Sequence, residues 1–295
     1  MYRLFYKEQN MAFTRRMFLR GGSAAAAGML AADRLAELLM AAAPEGKLRI
    51  SSRHFGSDVL KAKEAGLDGL EVGVGKSPFG LSKQADRDKL KQAMKETGVV
   101  ISSLSMDLLN GLPLQSTDDA PAWVETNIAT AKDLGAGPIL IPFFGKAHLL
   151  AGGRQWKKPD RENLVKRLKV LGPKAKEAGV TLALECTLSG KEYNDLLAEV
   201  NAPGVGAYYD IGNATADKLD PAADIREMKD NLAIIHFKDR SKPGWLGEGQ
   251  VKMEPVAEAL KAINFKGWIV LETSCPKGAV ESDKQNIATI RKLGL

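Results

Sequence analysis

The stretch LAIIHFKD, residues 232 to 239, reads as a buried strand that ends on His236, one of three histidines in a chain of 295 residues. Three other apolar runs end in a similar way. VTLALECTL (180 to 188) carries Glu185, VGAYYDIGN (205 to 213) carries Asp210, and WIVLETS (268 to 274) carries Glu272. Alternate residues of a strand share a face, so Ile234, His236 and Lys238 point one way while Ile235 and Phe237 point the other. A carboxylate taken out of water is costly unless paired or metal-bound, and one imidazole does not neutralise three of them. A divalent cation does. Three oxygen donors and one nitrogen suit Mn²⁺, Mg²⁺, Co²⁺, Fe²⁺ or Zn²⁺, with Mn²⁺ favoured. The plainer alternative is four unrelated polar strand ends bridged by arginines or lysines.

Such a cluster needs a scaffold that brings four strand ends to one place. From Lys47 onward, short β-branched runs alternate with helical patterns. The expected strands cover 48–55, 67–75, 99–108, 137–145, 180–188, 205–213, 232–239 and 268–274. Between them lie amphipathic stretches such as RDKLKQAMKETG and APAWVETNIATAKDLG, several ending in the glycine expected just past a helix. Eight βα units in residues 47–295 have the size and rhythm of a (β/α)8 TIM barrel, an α/β fold that keeps its chemistry at the carboxyl-terminal ends of its strands. A doubly wound open sheet is the structural alternative. It normally shows a glycine-rich turn after the first strand, and HFGSD stands there instead.

At these residues the chain resembles the xylose isomerase-like TIM-barrel superfamily, in particular the sugar phosphate isomerase/epimerase group. The likeness covers about residues 48 to 295 and rests on LALE (182–185), YDIGN (209–213), HFKD (236–239), LGEGQV (246–251) and VLE (270–272). The resemblance implies that Glu185, Asp210, His236 and Glu272 hold one divalent ion and that the two glutamates also handle protons. A metal held by a sugar's carbonyl and neighbouring hydroxyl acidifies the carbon between them and stabilises an enediolate. Carboxylates on opposite sides of that plane then epimerise or isomerise the sugar; a β leaving group would instead be expelled by a lyase or dehydratase. The expected substrate is a small sugar or cyclitol. A sugar-binding barrel without turnover is the competing class.

The chain departs from the group's pattern at two places. Asn213 stands where epimerases of the group usually carry a substrate-touching histidine, and the usual arginine past the metal histidine is represented by Arg240 or Lys242. These departures point to an unphosphorylated sugar, a cyclitol or an oxidised glycoside. Lys238 either holds a substrate oxygen or neutralises a carboxylate. Glu71, at an inward position of the second strand, either orients a sugar hydroxyl or forms a salt bridge. Glu248 in GEG is a ligand contact or a solvated or capping residue. His54 is a further candidate for substrate contact, although for it and His148 a place behind the ligands or at the surface is the plainer reading. Trp245, Phe143 and Phe144 offer aromatic faces to a sugar ring or to packing.

Residues 1–46 differ in kind. TRRMFLRGGSAAAAGML (14–30) puts Arg15-Arg16 before Phe18-Leu19 and a Gly/Ala-rich tract, which resembles a twin-arginine export signal followed by a short linker. Export to the periplasm is the expectation, and an ordinary basic helix is the alternative. The tract is broken by Asp33 and Arg34 and is short for a membrane span, so no stable membrane insertion is expected. The net charge of +6 is mild and shows no dense basic run interleaved with aromatics, so nucleic acid is not an expected partner. Three histidines cannot supply the three-zinc cluster of endonuclease IV, a DNA-repair relative in the same superfamily. Cys186 and Cys275, the two cysteines, are expected to be free thiols. Self-association into a homo-oligomer is left open.

Overall fold

A computed structural model describes residues 47–239 and 244–295. The arginine pair, the rest of residues 1–46 and Arg240 lie outside the described residues. Eight parallel strands close into a barrel: β1 (Arg49–Ser52), β2 (Gly69–Gly73), β3 (Val100–Ser105), β4 (Pro138–Pro142), β7 (Thr181–Glu185), β8 (Val205–Asp210), β9 (Leu232–Phe237) and β10 (Trp268–Leu271). β1 closes the ring by pairing with both β2 and β10. The fold is the expected TIM barrel. Each strand is shorter than its apolar run suggests, and Arg53, Lys238 and Glu272, just past the strand ends, line the site.

Helices α1 (Val59–Ala65), α2 (Gln84–Thr97), α3 (Ala120–Leu134), α4 (Lys158–Glu177), α5 (Gly190–Val200), α6 (Ile211–Ala216), α7 (Pro221–Met228), α8 (Met253–Ala262) and α9 (Ala279–Lys292) follow the strands. Gly66, Gly98 and Gly135 end α1, α2 and α3 at φ of 81°, 77° and 69°. That left-handed geometry is open to glycine without Cβ strain, which is why the sequence punctuates these helices so legibly. α5 begins with a capping box in which the Ser189 hydroxyl accepts from the Glu192 N–H and the Glu192 carboxylate accepts from the Ser189 N–H.

An antiparallel pair, β5 (Leu150–Ala151) and β6 (Gln155–Trp156), lies between β4 and α4 and is not foreseen from the sequence. Two residues per strand are too few to show any period.

On the inner face of the barrel Leu140, Ile234 and Val270 are buried, while Ile50, Ile139, Leu184 and Ile269 alternate with inward residues and pack toward the helices. Near the carboxyl-terminal ends the inner face gives way to a polar layer made by Glu71, Ser103, Tyr208 and His236, each at most 1% exposed. The register produces that layer. Glu71 pairs with Ser103, Asp210 with His236, and His236 with Val270, so these side chains share the inner face.

Candidate active site

Glu185 and Asp210 are the last residues of β7 and β8, His236 is the fifth residue of β9, and Glu272 follows β10 directly. One ligand atom from each comes within 4.8 Å of the others. His236 Nδ1 lies 3.0 Å from Glu185 Oε1 and 3.4 Å from Glu272 Oε2, so both glutamates meet the same edge of the imidazole. Its other nitrogen, Nε2, is 3.2 Å from Glu71 Oε1. Burial alone would make this imidazole less basic, but Glu71, Glu185 and Glu272 outweigh it and hold its pKa well above the usual value.

The two glutamates meet unlike surroundings. Burial, aided by Asp210 and Glu272, pushes Glu185 up to about 7. Glu272 would also rise on burial, but His236, Lys238 and Arg53 bring it down to about 2. Lys238 Nζ donates to Glu272 Oε2 at 2.7 Å and to Asp210 Oδ2 at 3.1 Å. Arg53 donates to Glu272 Oε1 at 2.9 Å and to Asp107 Oδ2 at 2.6 Å.

Backbone requirements explain the two short motifs. Asp210 Oδ1 accepts the N–H groups of Gly212 and Asn213 and so caps α6 while its other oxygen faces the site. A Cβ on Gly212 would sit 2.7 Å from the Lys238 carbonyl oxygen, which accounts for the glycine in YDIGN. The aspartate of HFKD serves the rim. Asp239 accepts from the N–H groups of Gly247, Gly249, Gln250 and Val251, folding the GEGQV loop around one carboxylate. A Cβ on Gly249 would lie 1.9 Å from Asp239 Oδ1, so this loop tolerates no side chain there.

A buried tyrosine steadies the end of β7. Tyr193 Oη donates to the Cys186 and Tyr208 carbonyls at 2.7 and 3.1 Å and accepts from the Cys186 N–H at 3.0 Å. Tyr193→Phe removes the buried hydroxyl and with it the side-chain partner of these backbone groups. Its expected cost is about 1–3 kcal/mol of unfolding free energy. Chemical denaturation checks this, and a loss below about 0.5 kcal/mol, the scale of an ordinary surface change, would contradict it.

A cavity of about 270 Å³ opens onto the cluster, lined by Arg53, Asp107, Asn110, Phe144, Glu185, Asn213, Lys238 and Glu272. Asn213 and Lys238 are thus placed at the cavity, as their positions in the sequence suggest. Glu71 is not at its wall. Its Oε2 accepts from Ser103 Oγ and Tyr208 Oη, and its Oε1 faces His236, so it lies behind the imidazole. Glu248 is exposed on the rim loop. His54 turns away to Asp283, with Nδ1 2.9 Å from Oδ1. Phe143 is fully buried, and Trp245 Nε1 donates to Ser282 Oγ on α9, which leaves Phe144 as the aromatic at the cavity. Arg53, Asp107 and Asn110 are wall residues that strand-end reasoning misses. Arg53 was the most accessible of them, since it closes the first apolar run as Glu185 closes the fifth.

The donor set fits a divalent cation. Glu71, Asp107, Glu185, Asp210 and Glu272 face Arg53, Lys238 and His236, an excess of carboxylates in a largely buried volume. Carboxylate oxygens with one imidazole nitrogen suit Mg²⁺, Mn²⁺ or Zn²⁺.

Comparison with known proteins agrees with this architecture. The L-ribulose-5-phosphate 3-epimerase UlaE of Escherichia coli (strain K12) is 27% identical over 230 residues, which cover 72% of this chain and 79% of that protein. The crystal structure of D-allulose 3-epimerase from Methylomonas sp. in complex with D-allulose superposes with a TM-score of 0.68 at 19% identity, over 84% of this chain and 97% of the other. The structure of IolI with a bound zinc atom gives a TM-score of 0.67 at 18% identity, over 83% of this chain and 98% of the other. Residues 59–293, from the first helix to the last, match the profile of a single family. With its closed barrel and clustered strand ends, the chain belongs to the xylose isomerase-like TIM barrel family.

Proposed function

We propose that this protein is an epimerase or isomerase that takes a proton from the carbon next to the carbonyl of a small sugar or cyclitol. The observation that carries this reading is the placement of Glu185 and Glu272 on the wall of one cavity, both beside Nδ1 of His236. Two carboxylates at one reacting carbon let one remove a proton while the other returns it. The epimerase names of its relatives support epimerisation of a carbon centre over loss of a leaving group.

Glu185, Asp210, His236 and Glu272 would hold a divalent ion. When bound, such an ion draws electron density from the carbonyl and lowers the cost of carbanion character beside it. The chain's own groups do the rest. Glu71 fixes the imidazole through Nε2 and leaves Nδ1 toward the glutamates. Lys238 and Arg53 hold Glu272 from two sides, which keeps its carboxylate in one orientation. Asn110, Asn213 and Asp107 present hydrogen-bonding groups to hydroxyls, and Phe144 offers the apolar surface.

A cavity of about 270 Å³ accommodates a ligand at the small end of the usual range. Among the described residues, both cations that line it are already engaged by carboxylates, Arg53 by Glu272 and Asp107, and Lys238 by Glu272 and Asp210. That favours an unphosphorylated substrate. The test is solvent deuterium uptake at the carbon next to the carbonyl, with ketoses, inososes and 3-keto-glycosides supplied together with Mn²⁺. Incorporation with a matched epimer as product is expected; a C–H bond left untouched in every compound would move the protein to the sugar-binding class.

We also propose export by the twin-arginine route, on the strength of Arg15-Arg16 and the tract that follows. Replacing both arginines by lysine is expected to hold the protein in the cytoplasm, as cell fractionation would show. Wild-type protein found in the cytosol alone would exclude this.

A further inference from the structure

A second group of metal-binding residue types converges away from the cavity. His54 follows β1, Cys275 lies in the segment between β10 and α9, and Asp283 is on α9. One ligand atom from each lies within 4.8 Å of the others. Asp283 is 0% exposed, although it is a carboxylate. Its Oδ1 pairs with His54 Nδ1 at 2.9 Å, which leaves Asp283 Oδ2 and His54 Nε2 buried with no hydrogen-bond partner among the described residues. Cys275 Sγ makes a long contact of 3.9 Å to the Thr273 carbonyl oxygen.

Ordinary packing does not explain this arrangement. Each buried lone pair without a donor costs about 1–3 kcal/mol, and a fully desolvated carboxylate costs more. A cation held by this group would supply the positive charge that the buried Asp283 carboxylate lacks. Thiolate, imidazole and carboxylate are the donors that Zn²⁺ combines, whereas the cavity cluster holds no sulfur at all.

We propose that His54, Cys275 and Asp283 form a second divalent-metal site, selective for a thiophilic ion such as Zn²⁺ and separate from the oxygen-rich cluster in the cavity. The competing use of these residues, a thiol nucleophile served by an imidazole, is disfavoured. Burial and the neighbouring Asp283 push the Cys275 thiol up to about 11, so without a cation beside it the sulfur keeps its proton. Metal binding releases that proton to solvent. The ion ties together the segment after β1, the segment after β10 and α9. Two of them also serve the cavity, since Arg53 precedes His54 and Glu272 stands three residues before Cys275.

The experiment is a Co²⁺ titration of the metal-stripped full chain, followed by the near-ultraviolet charge-transfer band that only a cobalt-bound thiolate gives. The cavity cluster cannot produce this band, so the outcome is independent of the proposed reaction. The expected result is a band whose amplitude corresponds to one cobalt–thiolate bond per chain, reached by about two equivalents of Co²⁺ because the cavity cluster also takes up the ion, abolished in Cys275→Ser and persisting in Cys186→Ser. Asp283→Asn should weaken the cobalt affinity read from the same band by about 10-fold or more. Absence of a sulfur band in the wild type would overturn the proposal, as would a band that survives Cys275→Ser or disappears in Cys186→Ser.

Discussion

Replacing either Glu185 or Glu272 by glutamine is expected to lower turnover by about 10²-fold or more, the scale on which a positioned acid or base contributes. Glutamine keeps the size and one carbonyl oxygen of the side chain but abolishes the basic carboxylate. Metal affinity should fall less steeply, since an oxygen donor remains. The two variants should also differ from a simple loss of folding in one telling respect. If each glutamate attends one face of the substrate, as proposed, a single variant can still exchange the proton on its intact face with solvent while forming little product. Nuclear magnetic resonance of recovered substrate in deuterated buffer reads the two events separately. If neither variant loses turnover, Glu185 and Glu272 have been assigned the wrong task.

The second large effect falls on stability. Glu71→Ala is expected to cost about 3–5 kcal/mol, the usual result of removing one partner from a buried charged pair. The carboxylate is 1% exposed and receives Ser103 Oγ at 2.8 Å and Tyr208 Oη at 2.7 Å, with His236 Nε2 at 3.2 Å. Alanine leaves all three without their acceptor and opens a cavity in the middle of the barrel. Denaturant unfolding at fixed pH measures the loss. Glu71→Gln preserves an acceptor oxygen and should be milder in stability, yet it should still weaken divalent-ion affinity by about 10- to 100-fold because the imidazole loses its anionic partner. A Glu71→Ala protein within about 1 kcal/mol of wild type would show that the polar layer contributes little.

How much of this was readable beforehand follows from how local each signal is. His236 could be placed at the barrel mouth because alternation within six residues of β9 decides its face. Glu185 and Asp210 follow by the same reasoning, and glycines 66, 98 and 135 mark helix ends through their own backbone angles. Glu71 could be assigned an inward position but not a partner. Its contact with His236 spans 165 residues of sequence and depends on the register of the closed barrel. Arg53 is illegible for a similar reason: its long side chain reaches Glu272 across the seam between β1 and β10, and a basic strand end by itself predicts nothing about what faces it. The role of Asp239 was hidden because its four donors come from a loop eight to twelve residues further on.

The part of the wall built after β3 and β4 has a property that bears on how substrate preference can change. Asn110 belongs to the turn after β3 and Phe144 to the segment after β4, and the Phe144 N–H donates to Asn110 Oδ1 at 2.9 Å. The two wall residues are therefore not independent variables. A substitution at 110 that removes the acceptor frees the backbone that presents Phe144, so its effect on selectivity depends on what stands at 144. Energetic coupling of this kind is commonly about 0.5–3 kcal/mol, enough to reverse the ranking of single variants when they are combined. Laboratory evolution that samples the two positions one at a time will tend to stall where libraries that vary them together do not.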